Sequence, residues 1–152
     1  MILVLALLIG VVAGLRAMLA PAAISWSANL GLINLSGTWL AFLAYHWTPW
    51  ILSVAAIVEL VTDQLPSTPS RKVPPQFGAR IVMGALSGAA IAAPSGAWSE
   101  GAAAGIIGAI AGTLGGAAAR ARLAAAFGAD RPAAILEDGV ALLLAAVIGA
   151  VA

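Results

Sequence analysis

The chain has 152 residues, 62% hydrophobic and only 9% charged, with seven Lys and Arg against six Asp and Glu for a formal net charge of +1. Average globular chains carry about 25% charged residues, so this one lacks the polar surface that a water-soluble domain of its size needs. The same composition excludes a disordered chain, a coiled coil and a basic nucleic-acid binder. What remains is a single all-α transmembrane domain over 1–152, a polytopic helical bundle. There is no cysteine and one histidine, His46, so thiolate chemistry and two-histidine zinc motifs are absent. No phosphate-cradling glycine loop or nucleophile elbow occurs, and the sequence names no cofactor.

The first apolar run has no positive charge before it, so it reads as a first span, residues 2–20, and not as a cleaved signal peptide. Arg16 falls inside it, in Gly14-Leu15-Arg16 with Pro21 following. An arginine there either snorkels to lipid phosphate or pairs with a carboxylate, for which Glu59 and Glu137 are the candidates. Residues 24–45 are uncharged but hold three serines, two asparagines and two glycines. They read as a full span, a re-entrant hairpin or an interfacial helix. A crossing gives six spans and places all seven basic residues on one side; otherwise there are five. The six-span alternative is preferred on that ground.

Spans follow at 48–63, 80–97, 101–119 and 132–152, each starting or ending near charge. Glu59 and Asp63 stand at i and i+4, on one helix face. The loop 64–79 carries four prolines between Pro66 and Pro75, which make it stiff and non-helical, and it presents Arg71, Lys72 and, at its end, Arg80. Gly101, Gly105, Gly108, Gly112 and Gly116, with Gly84 and Gly88 on the preceding span, form a glycine zipper that clears a helix face for another backbone. The partner is a helix of the same chain or of another copy in a homo-oligomer. The loop 120–131 holds Arg120, Arg122 and Arg131; Asp130 is a candidate N-cap before Pro132, and Glu137 and Asp138 follow.

By the positive-inside rule, loops 64–79 and 120–131 face the cytoplasm, and the Trp98–Glu100 turn and the C-terminus lie outside. Trp39, Trp47, Trp50 and Trp98 then form an outer aromatic belt around His46. Ala55–Glu59 and Ala133–Glu137 are similar at an offset of 78 residues, as are Leu8–Gly10 and Leu86–Gly88. That pattern is either a 3+3 inverted repeat or the self-similarity of an Ala-rich chain.

The polar residues form one candidate cluster: Arg16, Glu59, Asp63, Arg71, Lys72, Arg80, Glu137 and Asp138. Glu59, Asp63 and Glu137 together suggest an oxygen-rich site for Mg²⁺ or protons; Arg71, Lys72, Arg80, Arg120 and Arg122 suggest a phosphate site. Ala13-Gly14-Leu15-Arg16 with Ala20-Pro21, then Glu59-Leu60-Val61-x-Asp63-x-Leu65-Pro66-x-Thr68-Pro69-Ser70-Arg71, resembles the bacterial membrane family known as domain of unknown function 4126. The resemblance extends to the glycine run, Ala119–Arg122 and Leu136-Glu137-Asp138. It implies a multi-pass bacterial inner-membrane protein and assigns no activity and no functional residue. The leading expectation is passage of a small solute or ion by a homo-oligomer, with membrane lipid as surroundings and no nucleic acid. The alternatives are handling of a lipid phosphate at the cytoplasmic face and an accessory subunit; no residue set calls for catalysis.

Overall fold

The computed structural model describes residues 1–65, 67 and 70–152. The described residues form six α-helices and no strand: α1 (Ile2–Leu15), α2 (Leu19–Asn29), α3 (Thr48–Thr62), α4 (Pro74–Ala92), α5 (Trp98–Phe127) and α6 (Asp130–Val151). Short 3-10 turns at Ala41–Ala44 and Ala93–Ser95 complete the regular structure.

Proline and glycine mark the boundaries. Pro49 opens α3, and Pro74-Pro75 open α4, where a missing amide costs nothing and the fixed φ favours a helix. The expected stiff loop therefore ends at Val73, and 74–79 are helical; the rest of that reading falls partly on Pro66 and Pro69, outside the described residues. Gly128, at φ +69°, ends α5 in the left-handed conformation that a Cβ disfavours. Arg120 and Arg122 consequently lie on the last turns of α5 and not in a loop. The expected Trp98–Glu100 turn is likewise the first turn of α5, the chain reversing over 93–97. Ala129, not Asp130, occupies the N-cap position of α6.

The helices alternate in direction. Position numbers rise together along α1 and α5, with Gly10 against Gly105 and Gly14 against Gly112, and run oppositely along α4 and α5, with Gly84 against Ala109 and Gly88 against Gly101. Helix α2 returns toward the opposite end: Met18 lies beside Glu59, whereas Ser27 donates 2.7 Å to the Gly149 carbonyl near the end of α6. The first span expected over 2–20 is thus two antiparallel helices meeting at Arg16. Residues 24–45 are no single element. They finish α2 and then run through irregular backbone, with Gly31 and Gly37 at positive φ, to the 3-10 turn.

Three stretches are long and apolar enough to cross a membrane: Pro74–Ser95, Trp98–Phe127 and Asp130–Val151. That is fewer than the five or six expected. Helices α1 and α3 are apolar but have 14 and 15 residues, about 21 Å and 22 Å at 1.5 Å per residue, against a hydrocarbon layer of about 30 Å. Helix α2, at 11 residues, is shorter still.

Glycine decides the packing of α1, α4 and α5. A Cβ on Gly105 would collide with the Gly84 carbonyl oxygen, one on Gly10 with Gly105, and one on Gly108 with the Leu7 carbonyl. Backbone meets backbone along both seams, as small residues allow, and the partners belong to the same chain. Beside these seams, Ile9, Val12, Ile24, Leu35, Leu40 and Leu43 form a buried apolar core between α1, α2 and the 3-10 turn. All five tryptophans lie toward the end opposite every charged residue but Glu100. Trp26 and Trp50 pack edge to face at 5.1 Å between centroids, and Trp39 and Trp98 at 5.9 Å.

Candidate functional site

The turn between α1 and α2 exposes the two kinds of backbone group that helix ends leave unpaired. Arg16 is extended there, at φ −142° and ψ 109°, and side chains from three other helices take up the loose groups. Arg80 Nη1 donates to the carbonyls of Gly14 and Leu15 at 2.7 and 2.6 Å, and the Thr113 hydroxyl donates to Gly14 at 3.2 Å. On the other side, Ala17 and Met18 donate their amides to the two carboxylate oxygens of Glu59, each at 2.8 Å. A cation thus sits at the negative end of α1 and an anion at the positive end of α2, as the helix dipoles favour.

Arg16 itself is fully buried. Its Nη1 donates to Asp63, its Nη2 to Asp138, and its Nε to Asp138 at 2.7 Å. Gln64 donates to the second Asp138 oxygen at 3.0 Å. The expected partners, Glu59 and Glu137, are otherwise engaged: Glu59 caps α2, and Glu137 takes a two-pronged contact from Arg71, 2.8 Å at its longer arm. Arg80 Nη2 lies 3.6 Å from Asp63 and 3.8 Å from Glu59, so the i, i+4 pair does act from one face, upon Arg80. Arg120 holds Asp130 through two hydrogen bonds, at 2.9 and 2.5 Å, and approaches Glu137 at 3.7 Å. Asp130 is the first helical residue of α6, and its side chain pairs with Arg120 instead of capping the helix.

Seven of the eight residues expected to cluster do come together; Lys72 does not. It is exposed, with no ion pair among the described residues. The carboxylates are interleaved with guanidinium groups, and no group of three or more acidic or histidine side chains among the described residues is arranged to hold a metal. The oxygen-rich Mg²⁺ arrangement is therefore not formed. Sequence reasoning missed Gln64, Thr113 and the Arg120–Asp130 pair. Gly116 was assigned to the zipper, yet a Cβ there would press on Leu15 and lie 3.1 Å from both Arg71 Nη1 and Glu137 Oε1. Its bareness gives the Arg71–Glu137 pair room over α5.

The cluster is set below the ends of the long helices. Beyond the level of the turn, α4 extends about 9 Å from Arg80, α6 about 10 Å from Glu137, and α5 about 17 Å from Gly116, at 1.5 Å per residue. Between these overhanging ends lies a basin of about 790 Å³, whose charged lining is Arg71, Arg80, Arg120, Arg131, Asp63 and Asp130. Asp63, Gln64 and Arg80, from the network at the α1–α2 turn, belong to its lining, and no residue of α1 or α2 does. Comparison of the chain with protein-family profiles, with characterised proteins and with solved structures returns no match.

Proposed function

We propose that this protein is a multi-pass membrane protein that carries a small solute or ion, with the basin as its entry and the α1–α2 hairpin as the moving barrier. The observation that carries this reading is the hairpin, which reverses at Arg16 below the ends of α4, α5 and α6 under a polar basin. Interrupted helices whose loose ends meet charged groups are a recurrent feature of secondary transporters, and ionisable residues at membrane depth mark solute paths. Away from the basin, α1, α4 and α5 close on one another through the glycine seams and the core around Ile9, Ile24 and Leu40, while an apolar cleft of about 440 Å³ lies between α2, α3 and α6. A carrier that alternates suits this better than a standing pore.

In this reading all six helices belong to the membrane domain, the short α1–α3 sheltered by the longer α4–α6. The charged end faces the cytoplasm of a bacterial inner membrane by the positive-inside rule. The inverted repeat is supported by direction, since α1–α3 and α4–α6 alternate in opposite senses. It is opposed by packing, since α4 and α5 meet along a glycine seam whereas α1 and α2 share few contacts. A homo-oligomer in lipid covers the exposed outer face of α5, including Ile107, Leu114 and Gly115, and extends the glycine zipper between copies.

The test is osmotic swelling of liposomes containing the purified full chain, diluted into potassium phosphate, potassium glutamate, glycerol or urea. Swelling faster than protein-free liposomes in at least one solute, and slowed in Glu59→Gln, is the expected result. Swelling indistinguishable from protein-free liposomes in all four removes passage of this solute range.

A further inference from the structure

We infer that the basin is a binding site for a phosphate-type oxyanion, an inference that rests on the passage reading and names its class of solute. The argument starts from donors and acceptors. Each guanidinium offers five N–H groups and no acceptor, and four of them line the basin: Arg71, Arg80, Arg120 and Arg131. Among the described residues, hydrogen bonds engage two nitrogens on Arg71, one on Arg80 and two on Arg120, and longer ion pairs reach one further nitrogen on each of Arg80 and Arg120. Arg131 is exposed and makes no hydrogen bond or ion pair among the described residues, and Gln76, also in the lining, makes none. Arg80 Nε is buried without an acceptor.

The carboxylate acceptors are mostly in the opposite condition: of the four oxygens on Asp63 and Asp130, Asp63 Oδ1 alone has no hydrogen bond among the described residues. Asp63 takes Arg16 and stands close to Arg80, and both Asp130 oxygens are held by Arg120. Behind the lining, Glu137 is occupied by Arg71. The basin therefore has N–H groups to spare and few free oxygens. The complement of such a wall is a group made only of acceptors, and guanidinium forks match a tetrahedral oxyanion in both charge and geometry. The wider field agrees in sign: all seven basic residues gather at this end, against every acidic residue except Glu100. A volume of about 790 Å³ holds a phosphorylated metabolite or a lipid headgroup, within the usual range of ligand sites.

The experiment uses the full chain in an uncharged detergent, with radiolabelled inorganic phosphate in equilibrium dialysis and phosphatidic acid or phosphatidylcholine in native mass spectrometry. Saturable retention of phosphate identifies a free solute; retention of phosphatidic acid alone identifies a lipid headgroup; either supports the site. The double variant Arg131→Gln with Gln76→Ala leaves every mapped ion pair intact and is expected to bind at least about tenfold more weakly. Arg122→Gln, exposed and outside the basin, is expected to bind as the unaltered chain does. The inference is overturned if the folded protein retains neither phosphate nor phosphatidic acid, if the double variant binds as tightly as the unaltered chain, or if Arg122→Gln weakens binding equally. Retention without swelling in any solute would sink the passage reading and leave this site standing. Swelling without retention would do the reverse.

Discussion

The glycine seams of α1, α4 and α5 and the charged network at the α1–α2 turn solve opposite problems. Along the seams there is no charge and no spare volume, so a single added carbon meets main chain. In the network charge is dense beside an open basin, and order comes from pairing. The difference teaches where this chain is rigid and where it can be adjusted. A close-packed backbone contact has one arrangement, whereas an ion network can exchange partners at modest cost when water or a ligand enters.

Variants that break this comparison fall in a graded order. Arg16→Gln is expected to be the most damaging, since it leaves Asp63 and Asp138 without their buried partner; losses of that kind run to about 3–5 kcal/mol. Thermal unfolding in detergent measures it, and adding Asp138→Asn should restore part of the loss. Adding Glu59→Gln should not, because Glu59 caps α2 and does not touch Arg16 in the mapped bonds. A rescue by Glu59→Gln would contradict the pairing described here.

Gly105→Ala comes next, at about 1–3 kcal/mol for overpacking, although alanine is the better helix former. Gly139→Ala, on α6, is its control: nothing lies within 4 Å of that Cβ position, so a gain of up to about 1 kcal/mol from helix propensity is expected. Equal behaviour of the two would mean that the seams are not close-packed. Glu59→Gln weakens the cap on α2 by about 0.5–2 kcal/mol, read most directly as faster hydrogen exchange at Ala17 and Met18. Asp130→Asn is the mildest. Its side chain is 62% exposed, and exposed pairs contribute about 0–1 kcal/mol, so a larger loss would show that Arg120 is needed to hold Glu137.

Much of this was legible in the chain itself, for identifiable reasons. Helix α3 falls within a residue of its expected range because Thr48-Pro49 open it and the apolar run ends at Thr62-Asp63. The glycine run was legible because bare positions at three- and four-residue spacing have one structural use. The sequence extends helix α1 past Leu15 because arginine is a good helix former, and the nearest local signal, Pro21, marks the first turn of α2 and not the end of α1. The pairing of Arg16 was misassigned for a similar reason. Periodicity places a residue on a face, but four carboxylates compete for that guanidinium within one layer.

By itself the sequence determined that the chain is apolar and helical, and that its helices pack through bare glycine. It also determined that nearly all charge gathers at one end, because a charge-poor composition forces helices and leaves few places for ions. Only the tertiary structure decided that the first apolar segment turns back at Arg16, since that turn is stabilised by Arg80, Glu59 and Thr113 from three distant helices. It also decided that the glycine seams close within one chain and that Gly116 yields its space to a salt bridge. The overhang of α4, α5 and α6 above the turn, which makes the basin, likewise depends on how the six helices are staggered. Stagger is set by side chains far apart in sequence, and no local pattern records it.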